Sequence, residues 1–318
     1  MLRSFLLSLT LLSTLSCSVQ DAADFVQFQE AKIVGGELVD KNEFKGVVAL
    51  VRGGDIICSG VVIDKRTILT AAHCLVGQNV YALSILVGRG TKLPHPGKVV
   101  KGQYRIDGYE LFPTLRYTNF HGITNYGEFN ANDIGIITTQ KDLVNIQPYQ
   151  VLTKTDLIKE KVKKGEKIVV VGYGYTGEDR NFGFGFTESH VEYGLKRKVE
   201  IPIVGVNNHE IDARADGLDS CYVDSGAPAF VKTDQGYKIA GLVSGSDGLC
   251  GENEFPAYYS LVYDSACWIN QYTGMPFDDL DFHCERHERI SKACSVNEDP
   301  KEAKLCAKEL SDEIFSNL

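Results

Sequence analysis

Three short segments of the sequence carry residues that could act together in nucleophilic catalysis. Ser225 lies in an Asp-Ser-Gly segment, His73 in an Ala-Ala-His-Cys segment and Asp133 in an Asn-Asp-Ile segment. A serine hydroxyl is a weak nucleophile at neutral pH, so it needs a base within hydrogen-bond reach and a group that orients the base. Histidine, whose pKa is near neutrality, and aspartate suit these two roles. Taken singly, each residue also has an ordinary explanation: a serine in a turn, a buried histidine beside a disulfide, or an aspartate that caps a strand.

Only a fold rich in strands can bring these residues together, because they stand 60 and 92 positions apart. Short runs of Val, Ile, Tyr and Phe recur between Gly, Asn and Asp clusters from about residue 34 to residue 263, which favours antiparallel strands in a barrel or sandwich. The predicted strands include 46–51, 60–63, 167–171, 199–204 and 238–243. Helical periodicity is weak before a short predicted helix at 264–272, which should end at Gly274.

Composition and charge exclude several functional classes. The 318 residues are 43% hydrophobic and 24% charged, which is typical of a globular protein. The formal net charge is −9, so the chain lacks the basic surface that nucleic-acid binding requires. We therefore expect no nucleic-acid partner, and no segment of the mature chain is apolar enough to span a membrane.

Five motifs in a fixed order make the chain similar to the chymotrypsin-like, or trypsin-like, serine proteases over roughly residues 33 to 273. They are Ile33-Val34-Gly35-Gly36, the Ala-Ala-His-Cys segment ending at Cys74, Asn132-Asp133-Ile134, Asp224-Ser225-Gly226 and Val243-Ser244. The resemblance implies an all-β fold of two six-stranded antiparallel barrels, with the crossover near residue 150 and the active site between them. It also implies a serine endopeptidase that acts on proteins or peptides, meets proteinaceous inhibitors, and needs neither a metal nor an organic cofactor.

The resemblance assigns catalytic roles to residues of this sequence. Ser225 would be the nucleophile, His73 the general base and acid, and Asp133 the group that orients His73. The backbone N–H groups of Val223 and Ser225 would form the oxyanion hole. The spacing between His73 and Asp133 is longer than is usual in the family, so we expect an insertion of surface loops within residues 94–130.

Activation and specificity are also implied by the resemblance. Cleavage after Lys32 would free the amine of Ile33, which would pair with Asp224 and order the oxyanion hole. Asp219 would lie at the base of the primary pocket and select Arg or Lys. The other expected pocket residues are Ser244, Ser246 and Ala257, and the expected disulfides are Cys58–Cys74 and Cys221–Cys250.

Several substitutions separate this chain from the family pattern. Val223 occupies the position of a glycine beside the oxyanion hole, where a β-branched side chain resists the backbone angles that glycine allows. Ser246 and Ala257 replace glycines of the pocket and should narrow it, and Gly245 replaces a tryptophan that forms a substrate-binding wall. An alternative function is therefore a catalytically weak, protease-like binding or regulatory protein with a distorted oxyanion hole.

The ends of the chain indicate export and processing. Residues 1–18 are typical of a secretory signal peptide, with Arg3 followed by an apolar stretch and small residues for cleavage. Residues 19–32 would then be an activation propeptide of a secreted, monomeric zymogen. A lipid anchor on Cys17, in a periplasmic or surface location, is the alternative.

The last 45 residues, 274–318, are interpreted as a separate acidic extension, because they hold 11 acidic and 6 basic residues. Asp299 and Pro300 can begin a helix there. Eight cysteines remain after signal cleavage, and Cys267, Cys284, Cys294 and Cys306 would form two bridges with three possible connectivities. The cluster of His283, Cys284 and His287 is better explained by a disulfide and solvated histidines than by zinc, which needs a fourth ligand and a reduced thiolate.

Overall fold

Two rings of antiparallel strands make up the fold of this protein in a computed structural model, which describes residues 33–79, 82–93, 103–111, 133–177, 193–206 and 209–294. The first ring closes in the order β2-β3-β4-β8-β7-β5. Its strands are β2 (Val47–Arg52), β3 (Asp55–Asp64), β4 (Thr67–Thr70), β5 (Leu83–Val87), β7 (Gln103–Leu111) and β8 (Gly135–Thr139). The strand β6 (Gly90–Leu93) pairs outside this ring with β10 (Tyr193–Leu195).

The second ring runs in the order β9-β11-β12-β15-β14-β13 and closes through the pairing of β9 with β11. Its strands are β9 (Lys167–Gly172), β11 (Arg197–Val206), β12 (Glu210–Ala213), β13 (Pro228–Thr233), β14 (Gly236–Ser246) and β15 (Ala257–Leu261). A two-residue strand, β1 (Glu37–Leu38), pairs with β11. The prediction of two six-stranded barrels is confirmed, and each strand predicted from the sequence lies within or overlaps one of these strands.

Apolar runs in the sequence are continuous because many strands are buried on both faces. In β2, Val48 and Leu50 pack in a core built from the first barrel, whereas Val47, Ala49 and Val51 belong to a core that also contains residues of the second barrel. Successive side chains of a strand point to opposite faces, so one strand contributes to both cores.

The segment 94–130 differs in part from its prediction. We expected surface loops there, but β7, at residues 103–111, is a strand of the first barrel and pairs with β5 and β8. The other residues predicted to form loops, 94–102 and 112–130, lie outside the described residues.

Three α-helices are present in the described part of the chain: α1 (Thr155–Lys161), α2 (Ala266–Thr273) and α3 (Leu280–Cys294). The predicted helix near 264–272 corresponds to a short 3-10 turn followed by α2, and Gly274 ends α2 with a φ of +70° as expected. Within the described residues, no helix has the length and apolarity needed to cross a membrane. The helix predicted from Asp299 lies outside the described residues.

A disulfide and hydrogen bonds attach helix α3 and the residue before it to α2 and to the segment between the barrels. Cys284 forms a disulfide with Cys267 of α2. The Nε2–H of His283 donates to the Thr153 carbonyl at 2.8 Å, and the Thr155 N–H at the start of α1 donates to Asp279 Oδ2 at 2.7 Å. The prediction that His283 is solvated is wrong, because its side chain is buried against the segment that joins the two barrels. The second predicted bridge, which would involve Cys306, lies outside the described residues.

Candidate active site

Strand pairing brings His73 and Asp133 together. β4 ends at Thr70 and is followed by the 3-10 turn that carries His73, while Asp133 comes two residues before β8. Because Thr70 pairs with Gly135 in antiparallel β4 and β8, residues after β4 lie beside residues before β8. His73 Nδ1 is 2.6 Å from Asp133 Oδ2, and the His73 N–H donates to Asp133 Oδ1 at 2.8 Å. The carboxylate therefore fixes both the imidazole ring and the backbone that carries it.

Asp133 is buried, and residues of the second barrel contact both its carboxylate and its backbone. Ser244 Oγ donates to Asp133 Oδ2 at 2.9 Å, and the Asp133 N–H donates to Ser260 Oγ at 3.2 Å. These contacts orient the carboxylate toward His73.

The pKa of His73 is set by two opposing effects. Burial disfavours the imidazolium and lowers the pKa, but the Coulomb attraction and hydrogen bond of Asp133 outweigh it, so the pKa is raised from 6.5. His73 can thus hold a proton transiently near neutral pH. Because Nδ1 faces the carboxylate, the neutral ring carries its proton there and leaves Nε2 free to accept another.

Ser225 is placed at the same edge of the first barrel by its backbone. The Ser59 N–H donates to the Ser225 carbonyl at 2.9 Å. A Cβ on the next residue, Gly226, would stand 2.6 Å from the Ala71 nitrogen, two residues before His73. The Ser225 hydroxyl makes no hydrogen bond within the described part of the chain. The structure thus brings His73 and Asp133 into direct contact and places Ser225 beside their segment without a Ser225–His73 hydrogen bond.

Val223 adopts a backbone conformation that is unusual for a β-branched residue. Its φ is +75°, in the left-handed region that glycine enters freely. Its carbonyl accepts from Ser59 Oγ at 3.2 Å. Neither the Val223 N–H nor the Ser225 N–H has an acceptor among the residues that the structure describes. Both groups can therefore donate to an external oxygen.

Asp224 is fully buried, and its carboxylate accepts two backbone hydrogen bonds. The donors are the Gly174 N–H at 2.8 Å and the Cys221 N–H at 3.0 Å. Desolvation raises the pKa of Asp224 to about 7, because the two backbone bonds and the nearby Arg197 charge offset only part of the penalty. A Cβ on Gly172 or Gly174 would collide with this carboxylate, so both positions require glycine.

Ile33 is buried in the core of the second barrel, whereas Lys32 lies outside the described residues. The residue after Ile33, Val34, accepts at its carbonyl from the Asp219 N–H at 3.1 Å. The beginning of the described chain therefore packs directly against the segment that carries Asp219.

The predicted pocket residues lie on β14, on β15 and near the Cys221–Cys250 disulfide. Asp219 is 5% exposed, and its Oδ2 accepts from the Gly251 N–H at 3.0 Å. Ser246 pairs with Ala257 across β14 and β15, and its hydroxyl donates to the Pro256 carbonyl at 3.4 Å and accepts from the Gly248 N–H at 3.2 Å. These two hydrogen bonds restrain the Ser246 side chain at the edge of the predicted pocket.

Comparisons with known proteins identify the family of this chain. The family model described as Trypsin matches residues 33–269, which is most of the chain. The chain belongs to the trypsin family.

Three of the relatives share between 26% and 28% of their aligned residues with this chain. The chain is 28% identical to phenoloxidase-activating factor 3 of Holotrichia diomphalia, over 80% of this chain and 74% of that protein. It is 28% identical to a collagenase of Hypoderma lineatum, over 86% of this chain and 99% of that protein. It is 26% identical to trypsin beta of Drosophila erecta, over 76% of this chain and 88% of that protein.

Two disulfides brace the site in this trypsin-family chain. Cys58 is bonded to Cys74, the residue after His73, and Cys221 is bonded to Cys250 beside the Asp219 segment. The sulfur atoms closest to His73 are therefore oxidised and offer no thiolate to a metal.

Sequence reasoning missed some residues that hold the site. Ser59 and Ser260 contact the Val223 and Asp133 backbones, but no motif marks either serine. Gly172 and Gly174 had a usable signal, since two glycines at the end of a buried strand suggest close approach of another chain segment.

Proposed function

We propose that the protein is a secreted serine endopeptidase in which Ser225, His73 and Asp133 form the catalytic triad. The observation that carries the proposal is the hydrogen bond of 2.6 Å between His73 and the buried Asp133, next to the backbone of Ser225. A histidine oriented in this way beside a serine is the arrangement that activates a hydroxyl for acyl transfer.

Catalysis would proceed through an acyl-enzyme. Ser225 Oγ attacks the scissile carbonyl carbon while His73 Nε2 takes the hydroxyl proton, and the C–N bond breaks as His73 returns this proton to the leaving amine. Water then attacks the ester carbonyl carbon as His73 Nε2 takes a proton from it. The bond between this carbon and Ser225 Oγ breaks as His73 gives the proton to Oγ, which releases the carboxylic acid and free Ser225. Asp133 keeps His73 in the required tautomer and stabilises its charged form.

The backbone N–H groups of Val223 and Ser225 would stabilise the oxyanion in both steps. Their availability supports this role, since such donors act best when they are already fixed and unpaired. The strain at Val223 is also the observation that favours the alternative, a protease-like binding or regulatory protein with weak turnover.

Cleavage after Arg or Lys is proposed from the buried Asp219 carboxylate. A cation of the substrate would neutralise this carboxylate in a region of low solvation, which favours basic side chains over apolar ones. Ser244, Ser246 and Ala257 would complete the pocket, and the tied Ser246 side chain would restrict its entrance.

Activation is proposed to follow cleavage after Lys32. The new amine of Ile33 would lie close to Asp224, whose buried carboxylate lacks a full counter-charge in the uncut chain. We further propose that the chain is exported behind a signal peptide at 1–18 and carries a propeptide at 19–32. The protease domain at 33–273 would be followed by a disulfide-linked extension at 274–318.

The test uses a chain in which residues 28–32 are replaced by an enteropeptidase recognition sequence, so that cleavage frees Ile33. The cut protein is assayed with matched Arg, Lys and Phe peptide p-nitroanilides and labelled with a fluorophosphonate. We expect Arg and Lys cleavage and labelling, both abolished in Ser225→Ala, and a loss of the basic preference in Asp219→Ser. A correctly cut protein that neither turns over nor reacts with the probe would favour the binding-protein alternative.

A further inference from the structure

Ser59 donates hydrogen bonds to the carbonyls of both residues whose N–H groups would form the oxyanion hole. Its Oγ donates to the Val223 carbonyl at 3.2 Å, and its own backbone N–H donates to the Ser225 carbonyl at 2.9 Å. Ser59 is completely buried, and its Oγ also accepts from the Tyr173 N–H at 3.2 Å. This one hydroxyl, on β3 of the first barrel, therefore contacts both Tyr173, directly after β9, and the carbonyl of Val223.

The carbonyls on both sides of the Val223 α-carbon are held. The Tyr222 carbonyl accepts from the Tyr175 N–H at 2.9 Å, and the Val223 carbonyl accepts from Ser59 Oγ. In a trans peptide the C=O and N–H groups point in opposite directions, so the first bond turns the Val223 N–H away from Tyr175. Rotation of either peptide would break one of these bonds, so both peptides that flank the Val223 α-carbon are restrained.

We propose that Ser59 is a positioning residue whose hydroxyl keeps Val223 in the left-handed conformation, so that the Val223 N–H remains available to the oxyanion. This inference rests on the proposed protease function. A β-branched side chain disfavours that conformation, and without the hydroxyl Val223 would relax toward negative φ and turn a flanking peptide. A glycine at the same position would have no such tendency.

The kinetic test combines Ser59→Ala with Val223→Gly in the full chain cut before Ile33. We expect Ser59→Ala to lower kcat by about 10- to 100-fold with KM changed less than about threefold, because part of the effect of one oxyanion donor is lost. In the Val223→Gly background the same substitution should lower kcat less than about threefold. Equal losses in the two backgrounds, or no loss in the Val223 background, would overturn the proposal.

Inhibitors separate oxyanion positioning from damage to the pocket. A peptide aldehyde forms an adduct whose oxygen enters the oxyanion hole, whereas benzamidine occupies only the pocket. In Ser59→Ala the inhibition constant of the aldehyde should rise by about the factor by which kcat falls, and that of benzamidine should stay unchanged. A parallel weakening of both inhibitors would mean that Ser59 is merely structural.

A matched control tests the general effect of losing a buried hydroxyl. Thr139 is also completely buried, and its Oγ1 donates to the Lys141 carbonyl at 2.8 Å, away from the site. Thr139→Val should lower the melting temperature as Ser59→Ala does, but leave kcat unchanged. A comparable loss of kcat in Thr139→Val would assign the Ser59 effect to stability and overturn the proposal.

A crystal structure of Ser59→Ala provides a readout that needs no activity. We expect Val223 to leave the positive-φ region. If Val223 keeps φ near +75° without the hydroxyl, the proposal is wrong, whatever the kinetics show. If the parent chain has no protease activity but Val223 moves in this structure, the proposed function fails while the positioning role of Ser59 stands.

Discussion

The buried carboxylate of Asp224 makes the stability of the uncut chain depend on pH. Its pKa rises from 3.8 to about 7 in the fold, chiefly because burial disfavours the charged form. A difference of this size corresponds to on the order of 4 kcal/mol between the two protonation states. The folded chain thus retains a proton between pH 4 and 7 that the unfolded chain has released.

The sign of the effect follows from proton linkage. Because folding raises this pKa, the contribution of Asp224 to stability is fully present below pH 4 and is lost as the pH rises through 7. Asp224→Asn cannot ionise, so its free energy of unfolding should lack this decline. The amide can accept from only one of the two N–H donors, Gly174 and Cys221, which adds a penalty that does not depend on pH.

The assay is urea unfolding of the uncut chain at steps from pH 4 to pH 7.5, in a Ser225→Ala background that prevents self-cleavage. Relative to Asp224→Asn, the parent should lose about 4 kcal/mol over this range. The exposed Asp142 supplies a control, since Asp142→Asn should retain the profile of the parent.

Cutting after Lys32 should then abolish most of the decline. The new amine of Ile33 would stabilise the charged carboxylate of Asp224, lower its pKa and make the cut chain more stable than the uncut chain at pH 7. Parallel profiles for the uncut parent and Asp224→Asn would refute the desolvation argument. An unchanged decline after cutting would refute the ion pair instead.

Three other expectations concern the base, a buried lysine and the extension. The pKa of His73 is raised above 6.5 despite burial, because Asp133 attracts the charged ring. The acid limb of kcat/KM in a pH-rate profile should therefore have its midpoint above pH 6.5. A midpoint below this value would contradict the geometry. Burial lowers the pKa of Lys196 to about 7, so its charge destabilises the fold at low pH and this penalty fades as the pH rises toward 10.5. The stability advantage of Lys196→Met, measured by urea unfolding, should shrink by about 4 kcal/mol between pH 6.5 and 10, and a constant difference would count against the shift. Replacing Cys267 and Cys284 together by serine opens a bridge between residues 17 positions apart and should reduce stability by about 3 kcal/mol while leaving kcat/KM intact; lost activity well below the melting temperature would show that the extension supports the site.

Strands with two buried faces were the most predictable parts of the fold. β2 and β9 have long apolar runs because each face packs in a core, and such runs are clear in the sequence. β7 was missed because its sequence, QYRIDGYEL, mixes polar residues and a glycine with few apolar ones. Only its pairing with β5 and β8 in the closed ring identifies it as a barrel strand.

Helix α3 was missed for a related reason. Its sequence is mostly polar, and its described attachment depends on His283, a disulfide at Cys284 and the preceding Asp279 rather than on an apolar stripe. Periodicity detects helices that bury an apolar face, so it has little power for a helix held in this way. The same contacts explain why His283 is buried although its neighbours in sequence are charged.

For the candidate site, the sequence motifs predicted which residues take part but not how they contact one another. Motifs indicated His73, Asp133 and Ser225, but the contact between His73 and Asp133 arises from the register of β4 and β8. The hydroxyl of Ser59 contacts the carbonyl of Val223 across 164 positions of sequence. No local pattern encodes such a pair, since it exists only where two barrels meet.

Three consecutive backbone N–H groups, of residues 173 to 175, tie the features around the proposed nucleophile into one unit. In order, they donate to Ser59 Oγ, to the Asp224 carboxylate and to the Tyr222 carbonyl. A shift of this segment would therefore release the Tyr222 carbonyl next to Val223 and remove a hydrogen bond from the Asp224 carboxylate at the same time. The oxyanion hole and the buried charge should thus respond together to activation. Because the donors are main-chain groups, no side-chain deletion removes them. The side chains of Ser59 and Asp224 are the acceptors in this unit that mutation can test directly.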